Sequence, residues 1–88
     1  MTTQLQRAAI SVPLNIAEGC GRRTRADFLR HLSIANGSLL EVETIVLLAL
    51  RFGTLREPDA KLALELSAEV GRILAGLIRS LKPASTDH

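Results

Sequence analysis

With 88 residues and a net charge of +2, the chain has room for one small domain over residues 1–88 and not for a second. A single cysteine excludes an internal disulfide, and with Phe28 and Phe52 as the only aromatic residues the core must be built from Leu, Ile, Val and Ala, a helical-bundle composition. No uninterrupted apolar run exceeds Ile45–Leu50, far short of the roughly 20 residues that cross a bilayer, and the start MTTQLQR lacks the layout of a secretory signal, so the expected location is cytoplasmic, without a membrane partner.

The first predicted helix covers about residues 3–18. Leu5, Ala9, Val12 and Ile16 follow 4-3-4 spacing, and Ile10, Leu14 and Ala17 form a second stripe beside them. Pro13 cannot donate to the Ala9 carbonyl, but the pattern continues in phase beyond it, which predicts a bend rather than a stop. The helix then meets Gly19-Cys20-Gly21, followed by Arg22, Arg23 and Thr24. Arginines beside the free N–H groups of a helix start fit an anion-binding loop. The structural alternative, that Gly19 or Gly21 takes the left-handed position ending the helix while Thr24 caps the next, is preferred because the spacing is not that of a nucleotide-binding loop.

The second helix is predicted over 25–52, about 42 Å at ~1.5 Å per residue. Phe28, Leu32, Ala35, Leu39, Val42, Val46 and Ala49 keep 4-3-4-3-4-3 spacing without a break, the seam of a helix packed in a bundle. Thr24 with Asp27 marks its start and Gly53 its end. Asn36-Gly37-Ser38 interrupts its middle, where Gly costs about 1 kcal/mol against Ala; a close helix crossing is the expected compensation. A third helix is predicted over 58–81, with Pro58 at its first position. It carries one stripe of Ala63, Leu66, Val70, Ile73 and Leu77 and a neighbouring one of Leu64, Ser67, Gly71, Leu74, Ile78 and Leu81. Residues 83–88 are expected to form a disordered tail. Three helices enclose a narrow core, so these stripes exceed what the chain can bury, and self-association is expected.

Charge is unevenly placed. Residues 20–31 hold Arg22, Arg23, Arg25 and Arg30 against Asp27, a net +3, whereas residues 41–69 hold six acids against Arg51, Arg56 and Lys61, a net −3. Repeated around an oligomer, Arg22, Arg23, Arg25 and Arg30, with Arg7, would attract phosphate, and these five are the candidate nucleic-acid-binding residues; Arg72, Arg79 and Lys82 come next. Nine of the eleven basic residues are Arg, which suits bidentate phosphate contacts, although a base-composition bias in the gene gives the same preference. Without exposed aromatics to stack on bases, any binding is expected to follow the backbone. A purely structural scaffold or a protein–protein adaptor is the competing reading. No Glu-x-x-His pair offers a di-iron site and no Cys/His cluster offers a zinc site, so neither metal nor cofactor is expected. Cys20 and His31 are the one conceivable nucleophile and base, too little to expect an enzyme.

The run S-V-P-x-N-I-A-E-G at 11–19, then G-R-R-T, A-x-G-S-L-x-E-x-E at 35–43 and G-L-I-R-S-L at 76–81 resemble the four helix bundle proteins encoded within intervening sequences of 23S ribosomal RNA genes. The resemblance spans roughly residues 3–82. It implies an all-α fold, an antiparallel four-helix protomer assembled into a homopentamer. It also implies kinship with the accessory variability determinant proteins of diversity-generating retroelements, whose basic pentamer engages a reverse transcriptase and nucleic acid. In that light the family's N-terminal helix, which would precede Thr2, is absent here. The resemblance brings no catalytic residues.

Overall fold

A computed structural model describes residues 2–82, and these are helical apart from two short connections and the terminal Lys82: α1 is Thr2–Cys20, α2 is Arg25–Arg51 and α3 is Glu57–Leu81. The expected tail, 83–88, lies outside the described residues.

α1 runs through Pro13 and two residues past its predicted end. It closes with tight i→i+3 bonds, Gly21 N–H donating to the Glu18 carbonyl at 3.2 Å and Arg22 N–H to the Gly19 carbonyl at 3.0 Å. Neither Gly19 nor Gly21 takes the left-handed conformation expected of it; among the described residues only Gly53 has a positive φ. The buried seam is also displaced from the predicted one. Ala8 and Val12 are buried and Leu5 is half-buried, while Ala9, Ile10, Leu14 and Ala17 are exposed. The observed stripe is Leu5-Ala8-Val12-Asn15-Gly19, in 3-4-3-4 spacing, and it includes a polar residue and a glycine that a count of apolar positions passes over.

α2 follows its predicted seam. Leu32, Ala35, Leu39, Val42, Val46 and Ala49 are all buried, and His31 and Ile45 widen the stripe. Thr24 caps its start, its Oγ1 accepting the Asp27 N–H at 3.1 Å. At the other end Gly53 has φ +77°, Thr54 N–H donates to the Ala49 carbonyl at 2.9 Å and Gly53 N–H to that of Leu50 at 3.1 Å. This double bond pattern satisfies the last carbonyls of the helix. α2 also contains an 18-residue window apolar enough to meet the composition of a membrane-crossing helix, which counting uninterrupted runs does not register because polar residues such as Glu41 and Glu43 break them. Part of that apolarity faces α1 and α3, but only 28% of the window is buried, and Leu40, Leu47 and Leu48 remain exposed.

α3 starts at Glu57, one residue before Pro58, and turns its second predicted stripe to α2, with Ala60, Ser67 and Leu74 buried. From the first stripe Leu66 and Ile73 remain 53% and 65% exposed. The helices are antiparallel in sequence: Ser11 meets Ser38 and Asn15 meets His31, and a Cβ at Gly71 would stand 3.4 Å from Leu39 Cδ2. The backbones of α1 and α3 each lie close to that of α2 but not to one another, while side chains of all three helices share the cluster around Leu32 and Leu39. The chain measures 47 × 27 × 15 Å, its thinnest direction little more than one helix diameter of ~10–12 Å. Between α1 and α3 runs a groove of about 350 Å³, floored by Leu39 and Val42 and walled by Pro13 and Ile16 on one side and Leu66 and Val70 on the other.

The close crossing expected at Gly37 is not there: a Cβ at that position would meet nothing within 4 Å. Its neighbour Ser38 makes the contact with α1 instead. Gly37→Ala is therefore expected to raise stability by up to about 1 kcal/mol, the helix propensity difference. A denaturant melt checks this, and a loss of stability would mean that the outer face of α2 is covered in solution.

Candidate functional site

The connection between α1 and α2 is four residues long, Gly21–Thr24, and most of its geometry is accounted for by closing one helix and opening the next. Two of the first amides of α2 already have acceptors, Asp27 N–H on Thr24 Oγ1 and Phe28 N–H on the Thr24 carbonyl at 3.1 Å. Arg22 Nη2 reaches Glu18 Oε1 at 3.2 Å, an exposed pair one turn apart that contributes little to stability. Arg23 and Arg25 are exposed beside it, and Arg30 is exposed just over a turn further along α2. Arg7 does not join them. It is exposed on α1 roughly 20 Å from the junction at ~1.5 Å per residue, and since Ser11 is level with Ser38, it lies level with the middle of α2.

Close packing beneath the junction explains Gly19. A Cβ there would stand 2.7 Å from Phe28 Cδ1 and 3.1 Å from His31 Cβ, so the missing side chain is what lets the first turn of α2 lie against the last turn of α1. Next to it is a polar network that composition and spacing did not reveal. Asn15 Nδ2 donates to the Ser11 carbonyl at 2.9 Å and to Ser11 Oγ at 3.0 Å, and Ser11 Oγ lies 2.7 Å from Ser38 Oγ. With the amide nitrogen so engaged, Asn15 Oδ1 faces His31 Nδ1 at 3.2 Å and accepts a hydrogen bond from it. Nε2 of His31 is buried and without a hydrogen-bond partner among the described residues. The network fixes the register of α1 on α2, because sliding by one residue would strand these groups in an apolar seam. The signal in sequence was present but small: Asn15 and His31 stand within otherwise apolar stripes, with Ser11 and Ser38 beside them.

His31 therefore faces Asn15, while Cys20 is exposed, and no hydrogen bond joins the two among the described residues. Nor do any three His, Cys, Asp or Glu side chains gather there in a group that could hold a metal ion.

The sequence profile of the 23S rRNA-intervening sequence protein family matches residues 1–76, taking in α1, the junction, α2 and most of α3. The chain belongs to this family. Ser11 and Asn15, and Ser38 opposite them, fall within the two runs S-V-P-x-N-I-A-E-G and A-x-G-S-L-x-E-x-E, so the motifs that resemble the family also build the α1–α2 interface in this chain. No curated protein matches the sequence.

Proposed function

We propose that this member of the 23S rRNA-intervening sequence protein family is a non-enzymatic, cytoplasmic homo-oligomer of antiparallel helical bundles. In this reading it holds an RNA or DNA backbone, or an enzyme bound to one, against an arginine-rich surface. The observation that carries the reading is the exposed set Arg22, Arg23, Arg25 and Arg30, gathered at one end of the molecule with two carboxylates beside them, Asp27 and the Glu18 that pairs with Arg22. Assembly is supported by the open groove between α1 and α3 and by large apolar side chains left in water, among them Ile10, Leu14, Leu40, Leu47 and Ile73. The pentamer that family resemblance implies would repeat the arginines around its axis. A second reading, a scaffold or adaptor without nucleic acid, is favoured by the junction itself, whose amides and glycines are occupied in joining helices.

Light scattering at micromolar concentration is expected to give a multiple of the 9.5 kDa chain mass; a folded monomer would remove the oligomeric half of the proposal. Replacing Arg22, Arg23 and Arg25 with Ala is expected to leave folding and assembly intact, since exposed charges contribute little, while weakening binding to RNA and DNA alike in a filter assay. A parent protein that binds neither polymer at low salt leaves the scaffold reading in place.

A further inference from the structure

The end of the molecule that holds the α1–α2 junction also holds the end of α3. Ile78 and Leu81, from its last turn, pack into the cluster that contains Leu32 and Phe28 near the start of α2. With Gly71 against Leu39, residues 79–82 are level with the first two turns of α2. Arg79 and Lys82, both exposed, thus stand at the same end as Arg22, Arg23, Arg25 and Arg30, although more than half the chain separates the two groups in sequence. Arg72, by contrast, is level with Ser38, at mid-length, and takes no part.

Six cations meet two carboxylates there, Glu18 and Asp27, a net +4. At the opposite end Arg51, Arg56 and Lys61 are balanced by Glu57, Asp59 and Glu65. Helix dipoles do not explain the difference. Two C-terminal ends and one N-terminal end meet at the basic end and leave roughly −0.5 of a charge, about an eighth of what the side chains supply. Arg25 even occupies the first turn of α2, where the dipole disfavours a cation. Among the described residues Arg22 alone of the six has an ion-pair partner.

Aromatic side chains are missing from this surface. Phe28 is half-buried against Gly19, and Phe52, 69% exposed, is at the far end of α2, about 40 Å away at ~1.5 Å per residue. Single-strand binders rely on aromatic platforms for stacking. Clustered cations without such platforms suit a duplex, which presents one phosphate per ~1.7 Å of axis and does not ask for stacking.

We infer that Arg79 and Lys82 complete a phosphate-binding end together with Arg22, Arg23, Arg25 and Arg30, and that its ligand is double-stranded nucleic acid held by its backbone. This rests on the nucleic-acid reading above and assigns it two further residues and a ligand class. The test uses the full chain and fluorescence anisotropy, with an RNA duplex of about 20 base pairs, a DNA duplex of the same sequence, and one RNA strand alone. If all six cations contact phosphate, duplex affinity is expected to fall roughly 2,000-fold between 50 and 200 mM salt; with Arg79→Ala and Lys82→Ala combined, four contacts remain and the fall is roughly 150-fold. Arg79→Lys should keep the parent's salt dependence, which separates charge from packing. A double alanine variant with the parent's affinity and salt dependence overturns the assignment of α3 while leaving the junction arginines standing. A single strand bound as tightly as either duplex overturns the ligand class. Failure of the parent to bind any of the three at 50 mM salt removes the nucleic-acid reading and this inference with it.

Discussion

Leu32→Ala is expected to lower the stability of the fold by about 2–5 kcal/mol, the range for a buried leucine whose cavity does not collapse. Leu32 has no exposed surface and lies in the cluster of Val12, Ala35, Leu39 and Leu74, so its side chain is where α1 and α3 both meet α2. Truncation there removes apolar burial from both interfaces at once. Such a loss is a large part of the few kcal/mol that a domain of this size holds, and a urea melt should show it as a shifted midpoint. Leu66→Ala is the matched comparison: it removes the same atoms from a side chain 53% exposed on the groove wall, and within one chain it should cost under about 1 kcal/mol. Equal losses at the two sites would show that the groove is filled in solution. A melt in which Leu32→Ala stays with the parent would mean that this packing is not the core.

The second large effect is expected at Gly19. An added Cβ there has no room, at 2.7 Å from Phe28 Cδ1 and 3.1 Å from His31 Cβ. The Phe28 ring can turn aside, but the Cβ of His31 is fixed to its backbone, and Nδ1 of the same residue is held by Asn15. Gly19→Ala should therefore cost about 1–3 kcal/mol through overpacking, despite the better helix propensity of Ala. Combining it with Phe28→Leu, which withdraws the nearer obstacle, should recover part of the loss, so the two substitutions are non-additive. Strict additivity in thermal melts would place the effect of Gly19 elsewhere.

The contrast between these glycines shows what could be read in the sequence. Gly53 carries its role in its position, just past a long periodic run, and it takes the left-handed conformation that position demands. Gly19 and Gly37 look alike in sequence, each a helix breaker beside polar residues, yet one is enclosed by Phe28 and His31 and the other faces open space. What separates them is the partner across the interface, which no local pattern contains. The same limit applies to stripes. α2 was legible throughout because it is packed on two sides and its buried arc is broad. The backbone of α1 lies close to that of α2 alone, so a narrow stripe suffices; Ala8 and Asn15 take places in it that counting apolar residues assigns to Ala9 and Ile16, and Gly19 extends it. For α3 both stripes were visible, and the choice between them depended on where α2 lies. As for the candidate site, clustering of Arg22, Arg23, Arg25 and Arg30 followed from their nearness in sequence, whereas the distance of Arg7 and the arrival of Arg79 and Lys82 follow only from the antiparallel course of the helices.

Because the backbones of α1 and α3 each approach α2 and not one another, the fold is built as two leaves on one spine. Either leaf can open while the other stays closed, and each opening uncovers part of the clusters around Leu32 and Val46 that both leaves help to bury. Local unfolding of this kind divides a small protein into separate cooperative units. The amides of α1 and α3 should then exchange with solvent through independent openings, each easier than global unfolding, while those at the centre of α2 wait for both. Anything that settles in the groove would touch both leaves at once, and by bridging them it would turn two units into one.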